Sequence, residues 1–300
     1  MERFICLLLT LCFLHFSNTA YGASQETSQE VTLNDFIKLA EEGSEDAQYL
    51  IGYSVLFDQE VSGEKYSDRT QALEWLDISI EANPFNGWFV GSELTNRDKP
   101  VLAQIYLQKA VNAGYTKAFS NLAHLYLGDG HSKAGNLLAK RYFEAAASYG
   151  NAYAYVRIGH IYQNGWGVEQ DLAKAEQYFQ KAISQGETAG YTALGEMKEK
   201  YFSNPDYKEI LDLYLKDAQN GGSTAIFGIK RLYKKHNQHV GLTKEAVLFW
   251  HYVDQFNSVI NFGRPVSYLD KKTKLANNFS SDQLSKIKKR AETLVKGFSN

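Results

Sequence analysis

Cysteine is nearly absent from this 300-residue chain: there are two, Cys6 and Cys12, both close to the amino terminus. Residues beyond Cys12 therefore hold no disulfide framework, thiol nucleophile or thiolate metal site. Proline is equally scarce, with four residues, so helices are permitted almost everywhere and a proline-rich or collagen-like chain is excluded. No segment after the first 16 residues approaches the twenty apolar residues of a transmembrane helix. Neither sign of charge dominates; the formal net charge of −2 gives no overall attraction to nucleic acid or to an anionic membrane surface. The motifs HExxH, GxSxG, GxGxxG and a phosphate-binding GKS or GKT loop are also missing. What remains is 44% hydrophobic and 22% charged, which excludes disorder as the dominant state.

The amino terminus has the layout of a secretory signal peptide: Arg3, an apolar run from Phe4 to Phe16, then small and polar residues, with cleavage expected after Ala20-Tyr21-Gly22. A lipoprotein signal needs a small residue before its cysteine, and Leu11 before Cys12 fits poorly. Both cysteines would leave with this segment. The mature chain is expected in the periplasm or outside the cell.

Self-comparison shows a 36-residue step. Gly114, Gly150, Gly186 and Gly222 share it, as do Ala103, Ala139 and Ala175, then Tyr106, Tyr142, Tyr178 and Tyr214, then Ala110, Ala146, Ala182 and Ala218. Within a unit, Ala175, Tyr178, Phe179 and Ala182 fall on one helical face, and Ala154, Ile158, Gly159 and Tyr162 mark a shorter helix before it. Each unit thus reads as a helix pair. Small residues at Ala154, Gly159, Ala175 and Ala182 allow close helix approach, Asn164-Gly165-Trp166-Gly167 breaks the chain between the helices, and Asp171 is placed to cap the second. The closing glycines are expected to adopt the left-handed conformation that ends a helix.

At these residues the sequence resembles the Sel1-like repeats, relatives of the tetratricopeptide repeat. The clearest unit is Asn151–Gly186, followed by Tyr115–Gly150 with an eroded loop at Gly128-Asp129-Gly130-His131; weaker units cover 44–83, 84–114, 187–222 and 223–258. The resemblance implies an all-α, right-handed α-solenoid of about six helix pairs. A leading segment and helix are expected in 23–43, the repeats in 44–258, and a basic capping segment in 259–300, with closing-helix residues Leu284, Ile287, Ala291, Leu294 and Val295. No linker divides the chain, which reads as one elongated domain.

The resemblance also implies a non-enzymatic scaffold or adaptor that binds a protein or peptide in its concave groove, without cofactor, metal or nucleic acid. Envelope assembly, receptor regulation and toxin immunity are all compatible with such a scaffold. In tetratricopeptide-like folds the first helix of each pair lines the groove. The outward positions are Tyr153, Val156, His160 and Gln163 in the central unit; Ser120, His124 and Leu127 before it; Thr192, Glu196 and Glu199 after it; and Trp88 and Phe227 farther out. Trp166, in a turn, is a further candidate contact. His124 and His160 stand at equivalent positions, about 8–10 Å apart on stacked helices, too far for two ligands of one metal. His236 and His239 lack companion ligands.

The alternative is an envelope enzyme acting on β-lactam or cell-wall compounds. Ser62-Gly63-Glu64-Lys65 matches the SxxK nucleophile motif, and a cysteine-rich branch of the Sel1-like family is associated with penicillins; the SDN and KTG partners and that branch's disulfides are absent here. Charge, finally, is uneven: residues 23–81 hold 14 acidic and 3 basic side chains, residues 259–300 hold 9 basic and 3 acidic. Amino-terminal sequencing of protein recovered from cells checks the leader: the mature chain is expected to start near Ala23, and an intact Met1 or a lipid on Cys12 contradicts it.

Overall fold

A computed structural model describes residues 31–128, 132–261, 264 and 274–297. The expected leader with Cys6 and Cys12, residues Asp129-Gly130-His131 of the eroded loop, and most of 262–273 lie outside them. Among the described residues the fold is all-α, as expected, with one isolated bridge between Val61 and Glu64. The described residues part into two compact units, divided between Ala82 and Asn83.

The first unit holds α1 (Leu33–Glu41), α2 (Glu45–Leu56) and α3 (Arg69–Ala82). Thr32 and Asp35 form a capping box at the start of α1, the Asp35 carboxylate accepting from the Thr32 amide at 2.8 Å. The leading helix buries Leu33, Phe36 and Ala40 as its periodicity predicts. Gln48 of α2 donates to the Ala40 carbonyl at 3.0 Å, so the two helices are joined by a hydrogen bond as well as by apolar packing.

The second unit is a run of helix pairs: α4 (Pro84–Asn96) with α5 (Pro100–Asn112), α6 (Ala118–Gly128) with α7 (Lys133–Ser148), α8 (Tyr153–Asn164) with α9 (Leu172–Ser184), and α10 (Ala189–Tyr201) with α11 (Tyr207–Ala218). Then follow α12 (Ser223–Val240), α13 (Lys244–Ile260), a short 3-10 turn (Lys274–Asn278) and α14 (Ser281–Gly297). Pro84 and Pro100 occupy the first turns of α4 and α5, where the missing amide costs nothing. Asp171 caps α9 by accepting from the Lys174 amide at 2.9 Å, and Asp206 caps α11 in the same way. The final pair departs from the pattern: α12 rests mainly on α11, while α13 packs mainly on α14, whose Ile287, Ala291 and Val295 are buried.

Four of the pairs close on a contact between a glycine of the first helix and a large side chain of the second, and in the α6–α7 pair Ala123 stands at the glycine position. A methyl group added at Gly52 would lie 2.5 Å from the Leu76 side chain, at Gly91 2.6 Å from Leu107, at Gly159 2.4 Å from the Phe179 ring and at Gly195 2.9 Å from the Tyr214 ring. Glycine is required there for space. Phe179, Leu76, Leu107 and Tyr214 are fully buried as a result, and so is Phe143, which packs with Ala123.

One expected register is wrong. Gly114, Gly150 and Gly186 end their helices with φ of +99°, +89° and +84°, but the fourth left-handed glycine is Gly221 (φ +88°); Gly222 caps the start of α12 with φ −66°. The loop between α10 and α11 is two residues shorter than that between α8 and α9 while α10 is one residue longer than α8, so Asp206 follows Asp171 by 35 residues, and Tyr214 takes the place of Phe179 rather than of Tyr178. Asp217 likewise falls where Ala182 would be, and is buried with the Thr192 hydroxyl donating to it at 2.5 Å.

Replacing Gly159 by alanine forces its methyl group into the Phe179 ring, and overpacking of this kind costs about 1–3 kcal/mol. Denaturant melts should show that loss, and adding Phe179→Leu should recover part of it. A Gly159→Ala protein that melts like wild type means the slot is not tight.

Candidate functional site

Within the second unit, first helices touch one another: α4 touches α6, α8 touches α10 and α10 touches α12. Their outward residues therefore form a strip, continuous from α8 to α12. Second-helix rings reach it through the pairs. The His124 ring lies edge-on to Phe143 and the His160 ring edge-on to Phe179, both with centroids 5.1 Å apart, so one arrangement repeats in successive units.

These histidines differ from free imidazoles. Burial first, and the positive charge of Arg157 second, push His160 down to about 4, against a weaker upward pull from its 3.2 Å hydrogen bond with Gln163; His124 is lowered by the same two causes. Both are neutral at pH 7. Arg157 stands over the Phe143 ring, its guanidinium carbon 5.9 Å from the centroid.

Farther along, Tyr214 passes between α10 and α12 through the space left by Gly195 and Gly228. Its hydroxyl donates to Glu199 at 2.9 Å, and Arg231 grips the same carboxylate with two bonds, Nε to Oε1 at 3.0 Å and an Nη to Oε2 at 2.8 Å. Burial pushes Glu199 up, but those bonds outweigh it and hold the carboxylate below its usual range. Glu196, one turn earlier, is raised by burial, with Glu199 adding to the shift and Arg231 opposing it.

Not every expected contact residue reaches the surface. Tyr153 is 39% and Phe227 60% exposed, His124 is exposed, and His160, Glu196 and Glu199 are partly so. Val156, Leu127, Gln163 and Thr192 are buried. Val156 packs with Phe179, Ala193 and Met197, because the adjoining repeat covers the face that a single repeat leaves open. Ser120 accepts from Asn151 at 2.7 Å, and Trp88 donates to Asn121 at 3.1 Å, so both hold neighbouring segments together. Trp166 is half-buried against the core below α8 and lines a shallow pocket of about 700 Å³ with Lys133, Asn136 and Glu169. His236 stacks on Tyr207 at 4.1 Å, and among the described residues no cluster of three potential metal ligands occurs.

Arg157, Tyr214 and Arg231 were not among the expected site residues. Arg157 was within reach of the pattern, one turn before His160 on the same helical face. The SxxK residues form a tight turn: Ser62 and Gly63 both have positive φ, between the bridged Val61 and Glu64. Lys65 donates to Asp58 at 2.8 Å, and this hydrogen bond first, then the carboxylate charge, raises its pKa, opposite to what a lysine base requires.

The Sel1 repeat profile matches residues 45–84, 87–115, 120–151 and 152–187. No curated protein matches the sequence. Among solved structures, a Sel1 repeat protein from Oxalobacter formigenes aligns with 73% of this chain and 97% of its own at 21% identity and a TM-score of 0.50. A protective antigen present in uropathogenic Escherichia coli strains aligns with 90% of this chain and 72% of its own (17% identity, TM-score 0.34), and an immunity protein from Pseudomonas aeruginosa with 68% and 79% (21% identity, TM-score 0.35). The first of these supports the fold.

His160 imposes a pH dependence on stability. Unfolded chains take up its proton below about pH 6.5, the folded protein only near 4, so the stabilisation present above pH 6.5 is lost as pH falls between those values. Between pH 7.5 and 5.0, His160→Gln should lose less stability than wild type, by on the order of 1 kcal/mol. Equal losses in thermal melts mean that His160 is not held neutral.

Proposed function

From the premise that this chain is a Sel1-repeat protein, a family whose members generally mediate protein–protein interactions, we propose that it is a non-enzymatic adaptor acting after export, in the periplasm or outside the cell. It binds a partner protein or peptide along the strip formed by α8, α10 and α12. One observation carries this reading. The three helices touch in succession, so the outward side chains of Tyr153, Glu196, Glu199, Phe227 and Arg231 sit on one preformed face. A face built by packing needs little ordering on binding, and exposed aromatics beside fixed charged groups supply anchors and register. The leader-like segment at residues 1–22 supports the exported setting.

The test begins with capture of partners from envelope extract by the full mature chain and their identification by mass spectrometry. The double variant Tyr153→Ala/Phe227→Ala removes two exposed rings and should leave the melting temperature unchanged while weakening the captured partner at least about tenfold, the scale of an interface anchor. Equal retention moves the binding site off this face.

A further inference from the structure

Several charges on the strip are matched, whereas Glu196 and Arg157 form no ion pair among the described residues. Arg231 is bound by Glu199, and Lys230 lies 3.4 Å from Asp254. Arg157 has no carboxylate within ion-pair distance; its Nε is shielded from solvent and has no hydrogen-bond partner. A guanidinium Nε shielded in this way is unfavourable, because its lost hydration is not offset by a hydrogen bond. Around it stand an aromatic ring, Phe143, and two neutral imidazoles, His124 and His160, which offer N–H donors and no negative charge.

Geometry reinforces the point. Arg157 reaches from α8 toward the α6–α7 pair, its guanidinium over the Phe143 ring and its charge acting on the exposed His124. Tyr153 lies one turn before Arg157 on the same face and is 39% exposed, an apolar surface beside the charge. A planar guanidinium over an aromatic floor matches the two oxygens of a carboxylate, whereas nothing here supplies the nest of backbone amides or the several cations that a phosphate favours.

We infer that the junction of α6 and α8 is a carboxylate subsite, in which Arg157 and the flanking histidines seat an aspartate or glutamate side chain of an acidic segment on a partner protein. The inference rests on the groove reading above and adds the chemistry of the ligand. Glu196, on the next first helix but one from α6 and without an ion pair, then fixes direction: the acidic residue belongs at the α6–α8 end and is repelled from α10.

Random 12-residue peptides displayed on phage and selected on the full mature protein provide the test, with Tyr153→Ala/Phe227→Ala as the probe of the groove. Peptides weakened by that double variant should be enriched in Asp or Glu, and a synthetic one should bind Arg157→Gln at least tenfold more weakly, while Arg157→Glu should select Lys or Arg instead. Groove-binding peptides without acidic enrichment, held equally by Arg157→Gln, overturn the subsite and leave the groove reading intact. If the double variant weakens no selected peptide, the groove reading falls and takes the subsite with it. Should the Arg157 variants misfold, wild type alone decides. In NMR titrations the acidic peptide should raise the pKa of His124 and His160, and its amide version (Asp→Asn or Glu→Gln) should not. Equal effects of the two peptides, or displacement of the acidic peptide by inorganic phosphate at constant ionic strength but not by acetate, overturn the assignment.

Discussion

The repeat region depends on a steric exchange within its helix pairs, in which the first helix carries glycine, or Ala123 in α6, so that the second can insert a large side chain. Gly52, Gly91, Gly159 and Gly195 each face a buried Leu, Phe or Tyr at a distance that leaves no room for a methyl group. A glycine inside a helix costs roughly 0.5–1 kcal/mol relative to alanine, and burying a large apolar side chain gains about 1.5–3 kcal/mol, so the exchange is favourable wherever the fit is good. The same insertion brings the ring to the far side of the first helix. Phe143 and Phe179 thereby meet His124 and His160, and Tyr214 meets Glu199 and Arg231. Core packing and strip chemistry are thus two ends of the same side chains.

This link explains what the sequence could and could not reveal. Helix pairs, their caps at Asp171 and their glycine stops were legible because a 36-residue step aligns like residues. The step also misled: after the shortened loop between α10 and α11, Tyr214 still lines up with Tyr178 by number, although physically it does the work of Phe179. A tyrosine column hides that change because both positions carry tyrosine. Buried contact residues failed for a different reason. Val156 and Thr192 are outward on their own helix and inward in the stack, and burial by a neighbour is not encoded in the periodicity of one repeat.

Replacing phenylalanine by tyrosine in this slot changes the strip as well as the core. Phe179 presents only a ring edge to its histidine, whereas Tyr214 carries a hydroxyl that must be satisfied once buried, and Glu199 with Arg231 satisfies it. Burial together with the Glu199 charge raises the tyrosine pKa, so the hydroxyl stays protonated and remains a donor. A fully partnered network of this kind is rigid, and one side chain cannot leave it without stranding the other two.

Rigidity on one side and an unmatched charge on the other make the strip polar along its length. At α10 and α12 Glu199 and Arg231 compensate one another, which leaves the unpaired Glu196 to repel anions, and a partner must rely there on Phe227 and neighbouring apolar surface. At α8 the cost of an isolated Arg157 is already present in the free protein, and an incoming anion removes it. Affinity from such a site comes largely from relief of that cost, and specificity comes from the same source. A neutral ligand cannot relieve it, and a cation makes it worse. The repeat architecture adds one further constraint, because adjacent first helices are spaced by about 8–10 Å and an extended chain advances about 3.3–3.6 Å per residue. Features recognised by neighbouring helices must therefore lie roughly three residues apart in an extended partner, which makes sequence spacing as well as charge part of what this face can read.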